Sequence, residues 1–304
     1  TRHVPTNRPR SNVSPFICTI ERDISRSLDD TQSAVNAGIV HDLAGWGEIS
    51  KQIDIWDYVT SFSTYLLPLP NLDTTPRDLR LYAKQNAHMV KMQSDIFNPG
   101  QPGDLQVLKG YVWGKLLWNP DLDEQQLENE FVEGYYGVAA PVVKEYLVLR
   151  RKSAANLPAS YDCFVSESPW LSDNDLLAGY AILRKASQIA AADPVIAERI
   201  NTLAKPFEYV LLSRAAHLLK RPDCPNKEQL QAIAADWLKF IERKKITRWA
   251  EEWGPESAIT GIKVSLKLKA EGLSLVFKTP AFLQNLKAEG RKYYCFEEDA
   301  FVIH

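Results

Sequence analysis

The chain has 304 residues, 45% of them hydrophobic and 24% charged, enough apolar content for a sizeable core in one large or two modest globular domains. A formal net charge of -2 and the lack of a dense Lys/Arg block argue against nucleic acid as the main partner, and no apolar run is long enough to cross a bilayer. Cys18, Cys163, Cys224 and Cys295 show no C-x-x-C spacing, which speaks against a metal site, and a chain of this size needs no disulfide framework. With no glycine-rich nucleotide loop and no G-x-S-x-G elbow, phosphoryl transfer and serine hydrolysis fall away and no cofactor is expected.

The chain opens on TRHVPTNRPR, with neither a start methionine nor an apolar signal region, and the expectation is that further polypeptide precedes Thr1. NVSPFICTIE reads as a strand, and TQSAVNAGIVHDLAGWGEI as a helix with Val35, Ile39, Leu43 and Trp46 near one face. IDIWDYV is the next strand, rich in β-branched and aromatic residues, and it runs into the proline-rich TSFSTYLLPLPN. Thr75 is expected to cap a helix with Pro76 at its first position, carrying Leu79 and Tyr82 inward, before HMVKMQ forms a third strand. This β-α-β-α-β-α alternation calls for parallel neighbouring strands joined by right-handed crossovers.

From Asp104 the period turns helical. Leu105, Leu108, Val112 and Leu116 share one stripe, and Asp123 caps a helix carrying Leu127, Phe131 and Tyr135, with Gly137 as its stop. Ser172 with Asp175 opens a long helix, Asp193-Pro194 restarts it toward Leu219, and a last helix over Lys227 to Lys245 presents Ile233, Trp237 and Ile241. IKVSLKLKAEGLSLVF alternates around a turn like a β-hairpin, and KYYCFEEDAFVIH adds further strand. The expected fold is α/β plus α: a partial (β/α)-barrel over 1–105, comprising C-terminal units of a TIM-type barrel, then a helical domain over 106–255 and a small β segment over 256–304. Three strands cannot close a barrel, so the remaining strands are expected from a missing N-terminal part. An uncovered sheet edge is expected to drive association.

IDIWDYVTSFSTYLLPLPN, the following HMVKMQS, and YVWGKLLWNPDLDEQQLENEFVEGYYGVAAP together resemble a family of uncharacterised domains, the DUF4838 type, from bacterial carbohydrate-utilisation proteins. Its barrel is similar to those of α-glucuronidases and β-hexosaminidases. The resemblance covers roughly Asn12 to Leu149. It implies a glycoside hydrolase-like protein acting on or binding bacterial or plant glycans, including those with uronic acid or N-acetylhexosamine, and exported to the periplasm, cell surface or medium. The alternative is a non-catalytic glycan-binding or scaffold protein that has lost the acid pair.

Glycoside hydrolysis needs two carboxyl groups flanking the scissile bond, or one plus a substrate acetamido group. Barrel enzymes place such groups at the C-terminal ends of strands. Here those positions hold Glu21 and Asp23 after the first strand, Asp57 in the second and Asp95 just beyond the third, with Glu21 or Asp57 the candidate acid or base and Asp95 a candidate substrate ligand. Trp56 and Tyr58 are candidate sugar platforms, expected to point to opposite sides so that only one faces the lumen. Gln93 and Asn71 are candidate hydroxyl ligands. Structural readings stand beside these: Asp57 bracing loop N–H groups, Asn71 capping a turn, Glu21 in a solvated charge cluster, His41 and His217 without a catalytic partner. Trp113, Trp118, Trp237 and Trp249 fall in helical patterns and are expected in the core.

Overall fold

A computed structural model describes residues 4–95, 103–155, 157, 160–246, 248–251, 293–296 and 300–303, the last two segments by their backbone alone. Strands β1 (Phe16–Cys18), β2 (Ile53–Tyr58) and β3 (Ala87–Gln93) form one parallel sheet in the order β1-β2-β3, with Cys18 opposite Trp56 and Tyr58 opposite Gln93. Helix α1 (Ala34–Ile49) links the first two strands and α2 (Thr74–Lys84) the second and third. Each strand is added on the same side of the last, so two right-handed crossovers place both helices on one face. Ile17, Ile53 and Ile55 point to that face and share a core with Leu43 and Trp46 of α1 and Leu79 and Tyr82 of α2.

Two details of these helices differ from the sequence expectation. Val35 is exposed, and Asn36 takes the inward place in the first turn, where its amide nitrogen donates to the carbonyls of Asp23, Arg26 and Ser27. A polar side chain with three acceptors in reach is well satisfied in a buried position. Helix α2 begins at Thr74, and the Thr75 hydroxyl bonds back to the Asn71 carbonyl at 3.1 Å instead of capping the helix from outside. Asn71 is buried, donating to the Val59 carbonyl at 2.9 Å, so it closes the turn before α2.

The rest is helical: α3 (Gln106–Trp118), α4 (Glu124–Tyr136), a 3-10 turn (Gly137–Ala139), α5 (Ala140–Ala154), α6 (Asp173–Ala190), α7 (Pro194–Ser213), α8 (Ala215–Leu218) and α9 (Lys227–Lys244). The caps are those the sequence announces. Asp123 accepts from Gln125 and Gln126, Ser172 from Asp175, and Asp193 from Val195 and Ile196. Asn226 and Gln229 complete a capping box ahead of α9. Gly137 ends α4 at φ 48°, a left-handed value that glycine adopts without a Cβ penalty. The run expected to reach Leu219 breaks at Ser213, after which α8 is a separate turn. Trp113, Trp237 and Trp249 are core residues, whereas Trp118, the last residue of α3, is 92% exposed because the helix ends before it can turn inward. The expected hairpin at 262–277 lies outside the described residues. Strands β4 (Tyr293–Phe296) and β5 (Ala300–Ile303) pair antiparallel.

Sheet and helices share one continuous buried cluster running from Ile17 to Trp249. The stretch after β2 is its hub. From Val59 to Asn71 almost every side chain is buried, with Leu69 and Pro70 inside rather than rimming an open loop. The α5–α6 connection lies along it, through Phe62 N–H to the Cys163 carbonyl at 2.8 Å and Trp170 Nε1 to the Pro68 carbonyl at 3.2 Å. Asp104, ahead of α3, fixes the far end: it takes both Arg150 Nη atoms, at 2.7 and 3.0 Å, and the Leu69 N–H at 3.1 Å. Lys109 adds a contact at 3.1 Å. Burial opposes the Asp104 charge, but Arg150 and Lys109 outweigh it and hold its pKa down at about 2.

Removing one partner from a buried ion pair strands the other charge, at a cost of about 3–5 kcal/mol. Asp104→Asn, which keeps the size of the side chain and leaves Arg150 and Lys109 without their shared anion, is expected to lower the unfolding free energy by about that amount, read as a reduced urea midpoint. An unchanged midpoint would mean that Asp104 does not anchor the hub.

Candidate functional site

The two faces of β2 carry opposite chemistry. On the helix side Asp57 is fully buried, with the Arg22 guanidinium donating to both its oxygens at 3.0 and 2.8 Å. The Thr19 hydroxyl at 2.7 Å and the Tyr58 N–H at 3.0 Å complete the shell of Oδ1. Arg22 also holds Asp78 of α2, whose other oxygen accepts the Leu28 N–H at 2.6 Å. One guanidinium thus ties the loop after β1, strand β2 and helix α2 together. A carboxylate held by three donor groups in this way has no face toward solvent, so Asp57 is a brace here and not an open rim acid. Two carboxylates share one cation, leaving a surplus negative charge in the core. Burial and the neighbouring Asp57 push Asp78 up to about 6, against the pull of Arg22.

The other face is aromatic and partly open. Residues two apart on a strand share a face, and Trp56 and Tyr58 accordingly point the same way, not to opposite sides. Their rings lie 5.8 Å apart and within 5° of parallel. Phe16 of β1 extends the row on one side, 5.7 Å from Trp56, and is 38% exposed. Phe62, 5.8 Å from Tyr58, continues it on the other side to half-exposed Phe164, another 6.4 Å away. Five rings therefore run in succession, three on the sheet and then buried Phe62 and half-exposed Phe164 beyond it. Lys91 of β3 places its ammonium 3.6 Å from the Trp56 ring centre, a cation–π contact. Trp56 Nε1 donates to Gln93 Oε1 at 2.6 Å, and the Gln93 amide nitrogen reaches Glu251 Oε1 at 3.5 Å.

The strand ends form a rim beside this row. Glu251 arrives on a segment tied to the hub by Tyr65 N–H to the Trp249 carbonyl at 2.9 Å and Glu251 N–H to the Phe62 carbonyl at 3.1 Å. Burial, then Asp95 and Glu251, push the Tyr65 phenol well above its usual range, so both carboxylates act on one hydroxyl. Tyr58 is pushed up to about 12 by burial and by the thiol of Cys18. Glu21 is exposed beyond β1, and Asp95 is buried beyond β3.

Of the residues singled out from sequence, Trp56, Tyr58 and Gln93 meet on the open face, while Asp57 and Asn71 are sealed beneath it. Phe16, Phe62, Lys91 and Glu251 were not legible as members of the row. The alternation of Phe16, Cys18, Asp54, Trp56, Tyr58, Lys91 and Gln93 along three strands is the signal that could have found the first and third. His41 is exposed, and His217 is exposed beside Asp173 at 2.9 Å.

Residues 1–148 match the family model described as a domain of unknown function, DUF4838. A search of curated proteins and a search of solved structures each returned no match to the chain. The matched segment contains the whole parallel sheet, α1 to α4 and the first part of α5. No described helix is long and apolar enough to cross a membrane.

The Arg22 cluster carries a pH signature. Because the folded pKa of Asp78 lies above its unfolded value of 3.8, the associated stability is present below pH 4 and lost as pH rises through about 6. The full difference is on the order of 3 kcal/mol. The melting temperature is expected to fall between pH 4.5 and 7, and Asp78→Asn, neutral throughout, to flatten that slope. A wild-type melting temperature that is flat or rises across this window would contradict the assignment.

Proposed function

We propose that this is a carbohydrate-active protein of glycoside hydrolase-like build that binds glycans along the aromatic face of its sheet. The observation that carries the reading is the near-parallel Trp56–Tyr58 pair, open to solvent on one side and continued by Phe16 and Phe62. Sugar rings present apolar C–H faces and a belt of hydroxyls, and a row of rings flanked by an amide and a carboxylate matches both. Gln93 and Glu251 supply the polar flank. The row spans several rings rather than one, which suits a chain of sugars better than a single one.

The sheet also suits membership of a larger (β/α) arrangement. Parallel sheets are ordinarily covered on both faces, and here the helices lie on one. Further strands curling past β1 or β3 would turn the aromatic face into a lumen, with Trp56 and Tyr58 inside and Glu21, Asp95 and Glu251 on the carboxyl rim. In that setting the protein would be exported to meet its glycan, and the helical part would support the barrel from outside. Hydrolysis at this rim would fall to Glu251 and Asp95, whose charges both act on the Tyr65 phenol, with Glu21 as the third candidate. Asp57 is committed to Arg22 and contributes rigidity, so a glycan-binding role without catalysis needs no change to the site.

The test is binding of the full chain to plant and bacterial oligosaccharides, including uronic-acid and N-acetylhexosamine glycosides, by calorimetry and turnover assay. Trp56→Ala is expected to weaken binding by about 1–3 kcal/mol, the scale of one lost aromatic contact, without loss of fold. Glu251→Gln separates the two modes: turnover lost with binding kept assigns catalysis, and no turnover in either form assigns binding alone. Absence of binding by any glycan in the set would remove the carbohydrate reading.

A further inference from the structure

We propose that the cleft between the carboxyl end of β3 and helix α3 binds a small hydroxylated carboxylate, with the Lys109 ammonium taking the carboxylate and Thr60, Ser94 and Asp95 the hydroxyls. The cleft has a volume of about 280 Å³ and opens where parallel sheets commonly hold ligands, beyond the ends of their strands. It holds none of the aromatic row and shares Asp95 alone with the rim beside that row.

Charge is the first argument. Asp104 is gripped by both Arg150 Nη atoms and by the Leu69 N–H, and Lys109 shares only its Oδ2 at 3.1 Å. Two cations against one carboxylate leave a surplus positive charge in a buried cluster. Arg150 keeps its proton among the rings of Tyr146, Trp170 and Phe207, so Lys109 carries the surplus. Burial pulls the Lys109 pKa down, with Asp104 only partly opposing it. A buried ammonium in this position is relieved by losing its proton or by gaining an anion, and Lys109 lines an open cleft from which an anion can reach it.

The second argument is space. Gly110 and Gly114 lie on the same stretch of α3, line the cleft, and a Cβ at either would meet nothing within 4 Å. Glycine weakens a helix interior, and here it leaves a smooth floor one and two turns along from Gln106. Asp95, just beyond β3, and Asp104 line the cleft together with Lys109. The Asp95 backbone carbonyl is fixed by Gln106 Nε2 at 3.0 Å, and the Asp95 charge falls on Tyr65, where Arg248 acts in the opposite sense. A ligand with acceptors at one end and hydroxyl donors at the other matches this polarity.

The experiment is calorimetry of the full chain with D-gluconate, D-glucose and hexanoate. Gluconate is expected to bind, with glucose, which lacks the carboxylate, and hexanoate, which lacks the hydroxyls, at least tenfold weaker. Lys109→Met and Gly114→Leu are each expected to weaken gluconate tenfold or more. Gly114→Leu adds a good helix former, so its melting temperature should hold or rise, and lost binding there is not lost fold. Trp56→Ala should leave gluconate binding unchanged whether or not the aromatic face binds glycan. Cellobionate, the same acid carrying a further sugar, separates two sources of the carboxylate: equal affinity assigns the acid end of a chain, and loss assigns the free acid. The proposal is overturned if glucose or hexanoate binds as well as gluconate, if Gly114→Leu leaves the affinity intact, or if none of the three probes binds.

Discussion

Arg22 is the residue on which the sheet depends. Its guanidinium is 2% exposed and joins Asp57 in the middle of β2 to Asp78 on α2, while its own backbone belongs to the turn that leaves β1. Breaking it would leave two carboxylates in a core that holds Leu28 and Ile55, without the cation that balances them. Such a cluster is a poor source of net stability and a strong source of registration, because only one arrangement of strand, loop and helix satisfies every partner. Asp104 and Arg150 play the same part on the helical side, pinning the stretch after β2 to α3 and α5.

The two clusters err in opposite directions. The first carries one negative charge too many and the second one positive charge too many, and each imbalance shows in the group least able to bear it, Asp78 raised and Lys109 lowered. Between them runs the hub from Val59 to Asn71, which has no open loop character despite its prolines. A rigid sheet end with a sealed ionic underside is the platform from which Trp56 and Tyr58 stand out. Pre-ordered aromatic side chains lose little conformational freedom when they meet a ligand, and that is the physical advantage of the arrangement.

The elements were legible because their signals are local. The β-branched and aromatic run IDIWDY, the caps Asp123, Ser172 and Asp193, and the stop at Gly137 each act within a few residues, and all stand in the structure. Parallel pairing followed from the order of elements alone. What the sequence concealed depends on partners far along the chain. Asp57 reads as a candidate acid until Arg22, 35 residues earlier, is seen to claim it. Glu251 joins the rim from 158 residues beyond Gln93. Trp118 follows the α3 stripe but falls on its last residue, where no later turn covers it. Trp56 and Tyr58 need no distant partner to be placed, since the two-residue period of a strand puts both on one side.

One face of the sheet is sealed by an ionic brace, and the other carries the partly open aromatic row on which the proposed glycan binding rests. Hydroxyl-radical footprinting of the free protein and of its glycan complex reads this directly, residue by residue. The account predicts that Trp56, Tyr58 and Phe16 are oxidised readily in the free protein and protected by glycan, while buried Trp237 is inert in both states. Trp56 as unreactive as Trp237 in the free protein, or unprotected in a saturated complex, would contradict it.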